Sequence, residues 1–347
     1  MYSFNKTPYY NNNRELPGLQ FLKFICAILV VQLHSYSFLW SGLVPICRIA
    51  VLIFFFMSGY FMVSGIGVIT SRRIVQIARK ILRITIIANI VFLVFDILLK
   101  WKTDESMHCY FEPIYWIRLF VIGDSIWGHL WYLTSYLQTL LLIYIFLKFN
   151  KSHSLTTILL VAAFAGIILN LATGCYSSFF FEPDSPVLKW ELGTFTLAIP
   201  GVAIGILLRV YEDCLPSQKF VLTSLIVSCA LLYIEYMITG CWIWNLAASF
   251  PFAIFTFIFF SRLNPVSKIS STFVQLGKSQ AVNIYLWHPM VIPVYIHFEW
   301  IWQIDREINS FVVIIITLAI SIIFNPIENI NKCLRHVRNT IPALRLR

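Results

Sequence analysis

Ten times between residues 21 and 325 the chain runs apolar for about the 20 residues that an α-helix needs to cross about 30 Å of hydrocarbon. The segments are 21–41, 44–66, 82–99, 129–147, 155–173, 193–210, 220–239, 242–260, 281–297 and 310–325, two of them marginal. No soluble domain fits between them. Of 347 residues, 59% are hydrophobic and 12% charged, against about 25% charged in an average soluble domain. The expected fold is all-α: a polytopic membrane helix bundle of about ten transmembrane helices. It divides into a polar arm (1–20), a transmembrane domain (21–325) and a basic tail (326–347). The first run reads as a span rather than a cleaved signal peptide, because it is long and carries the bulky pair Leu39-Trp40.

Charge orients the bundle. Lys and Arg stay on the cytoplasmic side of short loops. With the N-terminus inside, only Arg48, Lys100, Lys102, Arg118, Lys189 and Arg306 of the 26 basic residues fall outside. Acidic residues including Asp104, Glu105, Glu112, Asp124, Glu182 and Asp184 fall on that outer side. Both termini are thus expected in the cytoplasm. The net charge of +10 is then a topology signal that needs no nucleic acid, and the tail "KCLRHVRNTIPALRLR" reads as an anchor on anionic lipid. Eight cysteines show no metal-binding or C-x-x-C spacing, so no metal is expected. Cys47, Cys109, Cys175 and Cys241 fall in or near outer loops, where a disulfide is open.

Ionisable groups inside a bilayer are costly and usually face a bundle interior or a wet cavity. "KFICAILVVQLH" separates Lys23 from His34 by eleven residues, which at about 100° per residue returns to the same helix face about 16 Å further along. Either the pair belongs to a site, or His34 bonds across a helix interface and Lys23 snorkels to headgroups. A second outward run, "SQAVNIYLWHPMVIPVYIHF", puts His288 at similar depth, so the two imidazoles can meet. Pro289 and Pro293 predict a kink or break just beyond it. An imidazole takes or gives a proton near neutral pH, which suits activation of a hydroxyl nucleophile.

The densest cationic stretch, "TSRRIVQIARKILRI", reads as a cytoplasmic loop carrying Arg72, Arg73, Arg79, Lys80 and Arg83. It is either a topology determinant on anionic lipid or a phosphate clamp, since guanidinium forks suit phosphate oxygens. On the outside, "GDSIWGHLWYLTSY" groups His129 with Trp131 and Tyr132, as an interfacial belt or as the lining of a sugar entrance. Ser58-Gly59 in "FFFMSGYFM" permits close backbone approach.

In this order and spacing, the basic residue eleven positions before His34, "RIAVLIFFFMSGYFM", the basic stretch, "HLWYL" and "IYLWHPMVI" resemble membrane acyltransferase family 3 over nearly the whole chain. That family includes multipass O-acetylases of bacterial surface glycans. The resemblance implies a ten-helix domain in the bacterial cytoplasmic membrane that moves an acyl group, usually acetyl from acetyl-CoA, to an acceptor on the far side. His34 matches the catalytic histidine, as general base or transient acyl carrier, and His288 the histidine of the late-helix motif. Lys23 stands where the family usually has arginine, and Lys80 and Arg83 fit its R-x-x-R pattern with lysine first. Lysine keeps the charge but loses the bidentate fork.

Together these points predict an O-acyltransferase. Lys23, Arg72, Arg73, Arg79, Lys80 and Arg83 would hold acyl-CoA, His34 and His288 would carry the chemistry, and His129, Trp131 and Tyr132 would face a saccharide acceptor. Membrane lipid is the other expected partner, and oligomeric state is not legible. The rival class is a transporter or flippase for a lipid-linked saccharide. Such a chain often repeats a pair of interrupted helices between its halves, and no such repeat is visible.

Overall fold

The structure, a computed structural model, describes residues 2–3, 16–35, 41–64, 68–103, 108–117, 125–149, 155–181, 193–241, 245–265, 267–302 and 306–325. In chain order the helices are α1 (Pro17–His34), α2 (Val44–Met62), α3 (Ser71–Thr103), α4 (Pro113–Ile117), α5 (Trp131–Phe149) and α6 (Leu155–Thr173). They continue as α7 (Ile199–Val210), α8 (Gln218–Thr239), α9 (Ser249–Ser261), α10 (Lys268–Ser279), α11 (Ala281–Trp302) and α12 (Arg306–Phe324). A minimal antiparallel pair, β1 (Tyr2–Ser3) with β2 (Val68–Ile69), joins the extreme N-terminus to the segment after α2.

Among the described residues, six helices are long and apolar enough to cross a membrane: Pro17–His34, Val44–Met62, Ser71–Lys102, Gly128–Phe149, Leu155–Thr173 and Gln218–Thr239. The other four expected spans are occupied by shorter apolar helices at Thr194–Val210, Ser249–Ser261, Ala281–Ile292 and Phe311–Ile323. The outside of the bundle is apolar. Along α3, Leu82, Ile86, Ile90, Val94 and Leu98 are all exposed at four-residue intervals, a continuous stripe that suits acyl chains and not water. The inside carries polar groups instead, with Thr139, Asn170, Asn283, His288, Thr317 and Ser321 buried.

Small residues set the centre of the packing. A Cβ on Gly59 would lie 2.1 Å from the carbonyl oxygen of Val202, and one on Gly205 would lie 2.1 Å from that of Phe56. α2 and α7 therefore cross backbone against backbone, the role that the Ser58-Gly59 pair suggested. Nearby, Arg209 of α7 reaches Glu212 at 2.5 Å and the Tyr60 hydroxyl at 3.0 Å, while Tyr60 donates to Glu212 at 2.9 Å. Three polar groups at the crossing thus satisfy one another. At the opposite end of the bundle, Glu235 of α8 accepts from the backbone N–H of Ala247 (2.7 Å) and Ala248 (2.8 Å) and from the Tyr176 hydroxyl. Its carboxylate holds the start of α9, where a helix leaves N–H groups unpaired.

Three expectations need correction. The basic stretch is no loop: Ser71 to Arg83 form the first turns of α3, because Arg and Lys are good helix formers and Ile74, which is 1% exposed, anchors a packed face. α1 ends at His34 rather than at residue 41, and residues 36–40 lie outside the described part. α11 runs as one helix through Pro289 and Pro293 instead of breaking there. Between α9 and α11, α10 is capped by the Ser267 hydroxyl, which accepts from the Ser270 N–H at 3.1 Å. It lies so close to α1 that a Cβ on Gly277 would meet the Gln20 carbonyl oxygen at 1.8 Å. Cys47, Cys175 and Cys241 are free thiols; the side chain of Cys109 lies outside the described residues. So do residues 1 and 4–15 of the polar arm and the whole basic tail.

Candidate functional site: a cluster of three histidines

His34 closes α1, and its ring centroid stands 5.3 Å from that of His288 with an interplanar angle of 31°. His288 in turn meets His129 edge to face at 5.5 Å and 70°. Three segments far apart in sequence thus bring three imidazoles into one knot. The two outer members differ: His34 is exposed, whereas His129 is 6% and His288 0% exposed. His34 is the exposed member of the cluster.

Helix chemistry fixes the buried pair. The His288 Nδ1 lies 2.8 Å from the Tyr285 carbonyl oxygen and 3.2 Å from that of Ile284. The His129 Nε2 lies 3.1 Å from the Leu286 carbonyl oxygen. Carbonyl oxygens only accept, so these nitrogens carry the protons, which leaves His288 Nε2 and His129 Nδ1 as bare lone pairs. Both bare atoms are buried and without a hydrogen-bond partner among the described residues. The Tyr285 hydroxyl donates to the His129 carbonyl, tying α11 to the turn before α5.

Around the cluster the packing is aromatic. Phe92 of α3 contacts His129 at 4.8 Å and Trp127 at 5.5 Å, and stacks on Trp287 at 6.0 Å and 9°. The indole N–H groups of Trp127 and Trp287 are also buried without partners among the described residues. Two donors and two acceptors therefore stand unpaired around one aromatic knot. Buried polar groups are nearly always paired, so the concentration of such atoms around one aromatic knot sets this region apart from the rest of the packing.

The other residues singled out in the sequence fall in three places. His129, expected at an outer acceptor entrance with Trp131 and Tyr132, is instead within the cluster. Tyr132 hydrogen-bonds Ser58 at 3.2 Å, packs on Phe55 at 4.4 Å and reaches the cluster through Tyr285 at 5.6 Å. Trp131 packs against Phe55 at 6.2 Å and covers Gly193. At the other end of α1, Lys23 feels the like charge of Lys80, so these two cations of α1 and α3 do share a region. Arg72, Arg79, Lys80 and Arg83 are exposed, and helical spacing puts Arg72, Arg79 and Arg83 in one stripe. Arg73 is different, because its guanidinium donates to the Phe61 carbonyl at 2.7 Å and so caps the end of α2.

Arg48 was missed. Its charge acts on His34, yet in the sequence it counted only as one of the few outer basic residues. The signal was its place at the head of "RIAVLIFFFMSGYFM". A cation beside an accessible imidazole can face charge developing on a reacting oxygen. Among the described residues no group of His, Cys, Asp and Glu has the arrangement of a metal site.

No protein of curated function and no solved structure matches the chain. The profile of the acyltransferase 3 family, described as an acyltransferase domain, matches residues 16–325. That range contains α1, α5 and α11 and every histidine of the cluster, and the chain belongs to this family of membrane acyltransferases.

Proposed function

We propose that this membrane acyltransferase moves an acyl group, acetyl in the simplest case, from cytosolic acyl-CoA to a hydroxyl of an extracytoplasmic or lipid-linked saccharide, in the bacterial cytoplasmic membrane with both termini inside. The observation that carries the reading is the exposed His34 beside unpaired donors and acceptors at His288, His129, Trp127 and Trp287. A sugar hydroxyl is both donor and acceptor, and sugar faces pack on aromatic rings.

The cationic face of α3 with Lys23 supports the donor side, since exposed guanidinium groups suit the phosphates of CoA. The thioester arm then has to follow α1 for about 16 Å, the rise from Lys23 to His34. At His34 the acceptor hydroxyl gives up its proton as its oxygen attacks the thioester carbonyl. The new C–O bond forms, the C–S bond breaks, and the proton passes from the imidazole to the departing CoA thiolate. In the acyl-carrier variant the imidazole takes the acyl group first and the hydroxyl takes it second. Arg48 supplies positive charge for the oxyanion in either course.

The test uses purified full-length protein in nanodiscs with acetyl-CoA labelled in the acetyl group and a surface-glycan extract as acceptor. Wild type is expected to transfer label to saccharide, and His34→Ala is expected to bind CoA but transfer none. Equal transfer by the folded variant overturns the role of His34. Label recovered on lipid or protein instead of saccharide overturns the acceptor class.

A further inference from the structure

We infer that Pro289 is a positioning residue that sets the tautomer of His288, so that Nε2 is the nitrogen left without a proton. In an α-helix the N–H of each residue serves the carbonyl four positions back. For residue 289 that carbonyl belongs to Tyr285. Proline has no N–H, so the Tyr285 oxygen lies open within α11 (Ala281–Trp302), which nevertheless continues past it.

The vacancy is filled from the neighbouring side chain. His288 Nδ1 approaches the Tyr285 oxygen to 2.8 Å, closer than its 3.2 Å to the Ile284 oxygen. The Ile284 carbonyl is already the helical partner of the His288 backbone N–H, so the Tyr285 carbonyl is the one that needs a donor. It receives the Nδ1 proton, and the lone pair of a neutral imidazole is then confined to Nε2. That atom is buried and unpartnered among the described residues, in a ring 5.3 Å from His34 and 5.5 Å from His129. With alanine at 289 the backbone N–H returns and competes for the Tyr285 oxygen. The imidazole then loses its better acceptor, and the proton is no longer held on Nδ1.

The consequence for turnover rests on the transfer reading above; the tautomer does not. The experiment uses full-length protein, ring-15N-labelled at histidine, in nanodiscs, with the His288→Gln spectrum subtracted to isolate His288. In wild type Nδ1 is expected to give a protonated, pyrrole-type signal and Nε2 a bare, pyridine-type signal. In Pro289→Ala the two signals are expected to mix or exchange. The kcat for acyl transfer is expected to fall about tenfold or more, with KM for acyl-CoA unchanged. A bare Nδ1 in wild type overturns the lock even if Pro289→Ala does not fold. Unchanged nitrogens in a folded Pro289→Ala overturn it too. An exchanged tautomer with undiminished kcat overturns only the link to transfer, and removes His288 from the proposed chemistry while the lock stands.

Discussion

His34 and His288 face each other at 5.3 Å, the one exposed at the end of α1 and the other wholly buried in α11. An accessible base backed by a buried one is an unequal pair, and their substitutions should differ in kind. His34→Ala removes an exposed group from a helix terminus and should leave thermal stability within about 0.5 kcal/mol. Acyl transfer should fall at least about a hundredfold. Unfolding curves and label transfer measured on one preparation separate the two effects, and a variant that loses stability and activity together speaks for a packing role.

The proposed donor site predicts different effects for different cations of α3. Replacing Arg79 and Arg83 with alanine should raise KM for acyl-CoA about tenfold, near the worth of one charge-assisted hydrogen bond of about 1.5 kcal/mol, and leave kcat alone. Added salt should narrow that gap. Arg73→Ala should instead lower thermal stability, because it frees the Phe61 carbonyl at the end of α2. Steady-state kinetics at two ionic strengths test the division, and a KM that ignores the double substitution rules out phosphate binding there.

Glu235→Ala should destabilise the protein by about 1–3 kcal/mol, since it strips acceptors from the N–H groups of Ala247 and Ala248 and from Tyr176 at once. Thermal unfolding in detergent measures the loss. Unchanged stability means that the start of α9 is held by other contacts.

Two glycines make a contrast. Gly205→Val drives a side chain into the Phe56 backbone, 2.1 Å from where the Cβ would begin, and should prevent folding. Gly240→Ala meets no atom within 4 Å and strains only the left-handed cap of α8 at φ 61°, at a cost of about 1 kcal/mol. Size-exclusion profiles of the two variants should differ plainly, and a well-folded Gly205→Val contradicts the crossing.

The membrane class and the meeting of His34 with His288 were legible because hydropathy runs and helix rise are arithmetic on one chain. Partnerships between helices were not. His129 among tryptophans reads identically as a belt residue or as a cluster member until α11 is placed beside it. Arg48 gives its net charge to topology, and only the approach of α1 reveals its effect on His34. The prolines of α11 promised a kink or a break because the rule counts lost backbone bonds; the helix does not break, and the His288 Nδ1 lies 2.8 Å from the Tyr285 carbonyl that Pro289 leaves without a backbone donor. Arg209, Tyr60 and Glu212 drew no attention because their pairing exists only where α2 and α7 cross.

That crossing also limits how the protein can move. Where Gly59 and Gly205 bring main chains together, no rotamer can switch and no side chain can swing aside, so α2 and α7 travel as one body. Any relative motion of helices has to fall along seams made of side chains, such as the seam between α3 and α5.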